Sequence, residues 1–337
     1  PAPFTLVKEH PGVVTDISPF WYEVTGTGSI ISKPQGDAAQ LAKEDHLPLT
    51  PLFNNAGAND TILQSTASED TAIHNIVSIV KKNHYAGVDI DFQQLKDSDR
   101  AGMTRFVQQL RKALPSSDII SVSVVPLTSQ NGQTGAYDFP ALAKSATYLV
   151  LMAYDLHGNG TQPGPVSPYK WVKQSIELSL KSGVPAQKLF LGIADYGYLW
   201  TGNSTKATAV PLKVMYQHKY GAYKWNSTYK EAYDTYTSGG VKHVIWFDND
   251  RAAVDRIKLA EQYHLGGIAI WRLGYEDAKW WDAIVPALQH KPMPPHESPQ
   301  HKASTSHPAS KTPDKSQHKD TCEDPEVTCV YKHSSSS

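Results

Sequence analysis

The chain has 337 residues, with 32 Lys and Arg against 33 Asp and Glu for a net charge of −1. That balance offers little to a nucleic-acid backbone or an anionic membrane, and neither is expected as a partner. With 40% hydrophobic and 19% charged residues the chain can build a sizeable core, and no run approaches the ~18 apolar residues that cross a bilayer. It opens Pro1-Ala2-Pro3, without Met and without the order of a signal peptide, so a processed product or an excised segment is expected.

Taken in chain order, Phe4 to His10 reads as the end of a helix. Apolar, β-rich runs then recur at Val13 to Tyr22, Leu47 to Phe53, Gly87 to Leu95, Ile120 to Leu127, Tyr148 to Tyr154, Leu189 to Tyr196 and Gly266 to Leu273. Helical patterns fall between most of them. Thr71 to Asn83 places Ile73, Ile76, Val77 and Val80 on one face, Asp99 to Leu114 stops at Pro115, and Lys170 to Lys181 stops at Gly183 and Pro185. Near-continuous apolar strands alternating with helices predict a parallel sheet covered by helices, and the length favours a (β/α)8 barrel over an open sheet. The runs supply seven barrel strands, so the first is expected to be missing ahead of Val13.

Between Trp200 and Val254 the rhythm breaks. Ala209 to Leu212, Ala222 to Trp225, Glu231 to Tyr236 and Val241 to Phe247 predict a small α+β insertion at about 201–250, before the last barrel strand. The barrel domain is therefore drawn at 1–290. The last 47 residues carry 7 Pro and 5 His with almost no large apolar side chain, so 291–337 is expected to be disordered. Its Cys322 and Cys329 are the chain's two cysteines; they could close a local disulfide or stand as two free thiols.

In a barrel of this type the site forms at the C-terminal ends of the strands. Those ends offer Tyr22, Asn54, the row Asp89, Asp91 and Gln93, then Met152, Tyr154 and Asp155, and finally Trp271. Residues two apart on a strand point the same way, so Asp89, Asp91 and Gln93 project together while Val88, Ile90 and Phe92 pack behind them. Taken alone, the two aspartates could equally be a structural pair, and Tyr154 and Trp271 core aromatics. Together they make a polar pocket with an aromatic floor, which suits the apolar face and hydroxyls of a sugar ring.

Four stretches carry a more specific resemblance. Tyr85-Ala-Gly-Val-Asp-Ile-Asp-Phe-Gln-Gln-Leu95 is similar to the signature strand of glycoside hydrolase family 18, and Met152-Ala-Tyr-Asp155 to that family's sixth strand. Gly266-Gly-Ile-Ala-Ile-Trp-Arg-Leu-Gly-Tyr-Glu-Asp277 is similar to its last strand. Ser18-Pro-Phe-Trp-Tyr22 and Leu191-Gly-Ile-Ala-Asp-Tyr-Gly-Tyr198 resemble the branch of spore-cortex and cell-wall N-acetylglucosaminidases. The resemblance runs from about Val13 to Leu288.

It implies a retaining, substrate-assisted mechanism in which the sugar's acetamido oxygen attacks the anomeric carbon. Asp91 would orient the acetamide, Asp89 would tune Asp91, Tyr154 would bind the acetamido oxygen, Asp155 and Met152 would flank the sugar, and Trp271 would be its floor. The general acid falls at position 93, where the family has Glu and this chain has Gln93. An amide keeps the shape and can donate a hydrogen bond but has no proton to give. The expectation is therefore a binder of β-1,4-linked N-acetylglucosamine polymers, peptidoglycan or chitin, with hydrolysis impaired or absent. It would be secreted or associated with a cell wall or spore, and would need neither metal nor cofactor. Glu276 and Asp277 match a structural stretch and are not expected to replace the acid. The alternatives are an active glycosidase with another acid, and a scaffold whose pocket binds no glycan.

Overall fold

The computed structural model describes residues 4–33, 36–127, 135–217, 223–289 and 327–332. Helix α1 (Thr5–Glu9) leads into β1 (Asp16–Val24) and its hairpin partner β2 (Ile30–Ser32), followed by α2 (Ala38–Glu44). Strands and helices then alternate as β3 (Leu52–Asn55), α3 (Thr66–Asn83), β4 (Gly87–Asp91), α4 (Arg100–Ala113), β5 (Ile119–Val124), α5 (Phe139–Ser145), β6 (Tyr148–Leu151), α6 (Tyr169–Lys181) and β7 (Leu189–Ala194). The predicted helices keep their ends for local reasons. Ser65 accepts the Ser68 N–H at 3.3 Å to start α3, and Leu114 is forced extended ahead of Pro115 to end α4.

The insertion begins earlier than expected, at β8 (Tyr196–Thr201), which turns away from the barrel directly after β7. It continues as β9 (Ala207–Pro211), α7 (Leu212–Gln217), β10 (Lys224–Asn226), β11 (Glu231–Ser238) and β12 (Val241–Phe247). These strands form an antiparallel sheet in the order β10-β11-β12-β8-β9. The buried Arg256 of α8 (Asp250–Gln262) fastens this sheet to the barrel, lying 3.5 Å from Glu231 and 3.6 Å from Asp248. Glu231 in turn accepts the backbone N–H groups of Val166 and Ser167 at 2.8 and 2.6 Å.

Among the described residues seven parallel strands, β1, β3, β4, β5, β6, β7 and β13 (Gly267–Trp271), pair in that order, and α9 (Ala278–Leu288) follows the last and packs on α8. Each is buried along most of its length, with Trp21, Trp280 and Trp281 wholly inside.

The gap between β1 and β13 is filled. Strand β14 (Val327–Lys332) runs antiparallel to both open edges, with Asp16 to Pro19 opposite Val330 to Val327 and Gly267 to Ile270 opposite Lys332 to Cys329. The reading of the whole tail as unable to fold is revised for these six residues. Val327-Thr-Cys-Val-Tyr is a local β-favouring run, and two strand edges with unpaired backbone groups give it partners that composition alone does not reveal. The remainder, 290–326 and 333–337, lies outside the described residues. So do Cys322, and with it the Cys322–Cys329 loop, and Ala222 at the head of one insertion piece.

Candidate functional site

Strand β4 is buried at every position, so its two inward carboxylates are held in the barrel's interior. Burial, together with the charges of Asp91 and Asp16, pushes the Asp89 carboxyl up to about 7, while the Ser121 and Ser123 hydroxyls oppose the rise. Burial also raises Asp91, to about 6, and the Gln93 amide opposes that rise. The opposing contact is direct. Gln93 Nε2 donates to both Asp91 oxygens, at 2.9 Å to Oδ1 and 2.8 Å to Oδ2, and lies 3.8 Å from the Met152 sulfur.

The backbone of Gln93 is clamped as well. Its N–H donates to Asn55 Oδ1 at 2.8 Å, and Asn55 Nδ2 donates back to its carbonyl at 2.9 Å. Tyr137 donates its hydroxyl to the Phe92 carbonyl, and Gln94 takes φ 54° to turn the chain out of the strand. Residue 93 is thus pinned at its main chain on one side and at its side chain on the other.

A cavity of about 250 Å³ opens over this arrangement, lined by Phe20, Asn54, Asn55, Ala58, Asp91, Gln93, Gln94 and Trp271. Trp271 and Phe20 meet edge to face, centroids 6.5 Å apart. Asn54 contributes a buried side-chain oxygen with no hydrogen-bond partner, a group that a bound hydroxyl or amide would satisfy.

The aromatic wall continues beyond the cavity. Trp271 packs in one cluster with Tyr154, Tyr196, Tyr198, Trp246 and Tyr275. Tyr154 can lie against β7 because position 192 is glycine; a Cβ there would sit 2.9 Å from the tyrosine ring and 2.8 Å from the Leu151 carbonyl. Asp155, at φ 60°, accepts the Tyr196 hydroxyl at 2.7 Å. Burial raises its carboxyl while Tyr196 and Tyr198 hold it down. Burial and the charges of Asp155, Asp91 and Asp89 keep the Tyr154 hydroxyl protonated.

The structure therefore brings Asn54, Asp91, Gln93 and Trp271 onto one cavity, puts Asp89 beneath and Met152 beside Gln93, and sets Tyr154 and Asp155 in the adjoining wall. It does not bring Tyr22 to the cavity. The β1–β3 register shifts between Phe20 and Tyr22, so Tyr22 stacks on Phe53 at 4.6 Å and its hydroxyl meets that of Tyr85 at 3.0 Å. Phe20 occupies the lining instead. Strand alternation alone puts 20 and 22 on one face, and a bulge has no signature in this stretch. Asn55 was also missed; its role rests on a contact with the backbone of a distant strand. Glu276 is buried, with Gly274 and Trp281 donating to its two oxygens, and Asp277 caps α9 through the Trp280 N–H.

Residues 49–276 match the family Glycosyl hydrolases family 18. The chain is 28% identical over 295 residues to a putative sporulation-specific glycosylase of Bacillus subtilis, covering 82% of this chain and 70% of that one. It is also 28% identical over 294 residues to a cortical fragment-lytic enzyme of Bacillus anthracis, covering 81% and 67%. Among solved structures, a chitinase from Chromobacterium violaceum superposes with a TM-score of 0.78 at 24% identity, over 85% of this chain and 95% of the other. That likeness supports the (β/α)8 barrel.

Proposed function

The chain belongs to glycosyl hydrolase family 18, and from that premise we propose that it binds β-1,4-linked N-acetylglucosamine glycans while cleaving them poorly or not at all. One observation carries the reading: the Gln93 amide donates to both oxygens of Asp91, in an otherwise furnished sugar pocket. Substrate-assisted hydrolysis needs a carboxylate to steady the acetamide and an acid to protonate the departing oxygen. Asp91 can serve the first purpose. An amide at 93 can hydrogen-bond the glycosidic oxygen but cannot protonate it.

The pocket supports recognition independently of turnover. Trp271 offers a face for a pyranose ring, the unpartnered Asn54 oxygen awaits a donor, and Tyr154 keeps a hydroxyl to offer an acetamido oxygen. No observation favours a substitute acid, since Glu276 and Asp277 are engaged in the turn and cap below the site. The names of the relatives, cortical fragment-lytic enzyme among them, support the glycan of a spore or cell wall as our preferred ligand. No helix among the described residues is long and apolar enough to cross one.

The test is Gln93→Glu. We expect the wild type to bind N-acetylglucosamine oligomers in titration calorimetry without trimming them, and the variant to cleave them at least ~10²-fold faster, the lower end of what a general acid supplies. A variant that binds oligomers and leaves them intact would show that position 93 is not the acid site. A wild type without affinity for them would remove the glycan reading itself.

A further inference from the structure

Two acids from the family-like motifs are left without a part in the pocket. Asp195 ends the run Leu191 to Asp195, Glu276 lies beyond β13, and both are buried, Asp195 completely. Strand pairing sets Ala194 opposite Trp271. The Asp195 N–H donates to the Trp271 carbonyl at 3.2 Å, and its Oδ1 accepts the Arg272 N–H at 2.7 Å. One residue therefore grips the main chain on both sides of the Trp271–Arg272 peptide. Glu276 holds the other end of the same turn, accepting the Gly274 N–H at 2.7 Å and the Trp281 indole N–H at 3.1 Å.

The two carboxyls anchor N–H groups two residues apart in one turn, those of Arg272 and Gly274, and interact with one another. Asp195 Oδ2 meets no N–H or hydroxyl, whereas the Glu276 oxygens already accept two N–H donors. A hydrogen bond between them requires a proton, and the donor is Asp195. We propose that Asp195 and Glu276 share one proton as a carboxyl–carboxylate clasp that positions Trp271, so that the floor of the pocket loosens when that proton is lost.

The surroundings suit the assignment. Burial, then the charge of Glu276, hold the Asp195 carboxyl well above the usual carboxylate range, and burial raises Glu276. The Tyr154 hydroxyl approaches from the end of β6 and is itself kept protonated. From α9 the group facing the pair is the neutral Trp281 indole. Arg272 extends its guanidinium over the Tyr275 ring, 4.3 Å from the centroid, and Lys213 reaches this turn through its backbone N–H, which donates to the Tyr275 carbonyl at 2.8 Å. Removing the shared proton would leave two buried carboxylates in contact, and the turn carrying Trp271 must move to separate or hydrate them. The link to affinity rests on the glycan reading above; the link to Trp271 does not.

The test follows Trp271 directly and glycan affinity separately. In protein labelled with 5-fluorotryptophan, the Trp271 resonance, assigned with Trp271→Phe, should move as pH rises from neutrality into the alkaline range, where a carboxyl pair held well above its usual range ionises. Asp195→Asn keeps an acceptor for the Arg272 N–H and a donor for Glu276 without a titrating proton. It should abolish the alkaline part of that movement, leaving what Asp89 and Asp91 contribute. Glu276→Gln should do the same and guards against one variant failing to fold. Chitooligosaccharide affinity of the wild type should fall about ten-fold across the same range and that of Asp195→Asn by less than about two-fold. A wild-type resonance that stays still, or variants that titrate as the wild type does, would overturn the clasp. A resonance that behaves as expected in a protein without glycan affinity would uphold the clasp and overturn the reading of the pocket.

Discussion

At the scale of single residues, the site turns on how position 93 addresses Asp91. The amide offers hydrogens to both carboxylate oxygens, an arrangement that favours the ionised form and so opposes the rise that burial imposes. Gln93→Glu places a second carboxyl in the same contact, and two acids that close must share a proton. Cleavage by that variant should fall as pH rises through the loss of the shared proton; a pH–rate profile of the variant checks this. Trp271 sets a second expectation. Trp271→Ala removes the stacking face, worth about 0.5–1.5 kcal/mol beyond the area it buries, so affinity for N-acetylglucosamine oligomers should drop at least ten-fold, by about 1.4 kcal/mol. An unchanged dissociation constant in calorimetry would take Trp271 out of the binding surface. These side chains were legible in the sequence because alternation on one strand is a short-range rule, and Asp89, Asp91 and Gln93 obey it. Tyr22 broke the same rule at a bulge, and the partnership of Asp195 with Glu276 has no local pattern because it joins strand β7 to the turn after β13.

At the scale of elements, the insertion is held by charge inside the protein. Arg256 faces two acids, Glu231 and Asp248, and also donates to the Ser167 and Lys230 carbonyls. Burial raises both acids while the guanidinium pulls them down, and the charge of Asp248 adds to the rise in Glu231. Removing one partner from such a network strands the others, at about 3–5 kcal/mol. Arg256→Ala should therefore lose about that much stability in urea unfolding at neutral pH. The sign of the pH dependence follows from the raised folded-state acids. Without the arginine their protonated forms are favoured further, so the variant loses stability as pH rises above the unfolded acids' range, and the deficit shrinks at about pH 5. A deficit under about 1 kcal/mol at neutral pH, the range of an exposed pair, would show that the contacts are incidental. The sequence placed most of this insertion by its β-like runs, yet missed that β8 opens it. Leu189 to Tyr196 reads as one apolar strand, and only the change of partner from β13 to β12 divides it.

At the scale of the whole molecule, closure of the barrel depends on its own tail. Seven parallel strands leave two edges, on β1 and β13, and β14 pairs with both at once in the opposite direction. The count of seven was available from the apolar runs. The closing strand was not, because a polar, proline-rich composition hides a short β-favouring run, and pairing with two distant edges is a property of the folded sheet. Such a strand satisfies backbone groups on both neighbours, each ladder bond contributing about 0.5–1.5 kcal/mol net. The cost of holding it is the entropy of tethering it through residues 290–326, which grows only slowly with chain length. A chain ending at residue 289 should therefore unfold at least ~2 kcal/mol more easily in urea, and its bared β1 and β13 edges should make it associate, as unpaired edges do. Adding back a peptide spanning 327–332 should restore the monomer in light scattering and part of the lost stability. If the shortened chain unfolds as the full one does and stays monomeric, β14 is not what closes the barrel. If it weakens and the peptide rescues it, the support beneath Asp16 on β1 and Trp271 on β13 comes from the chain's far end.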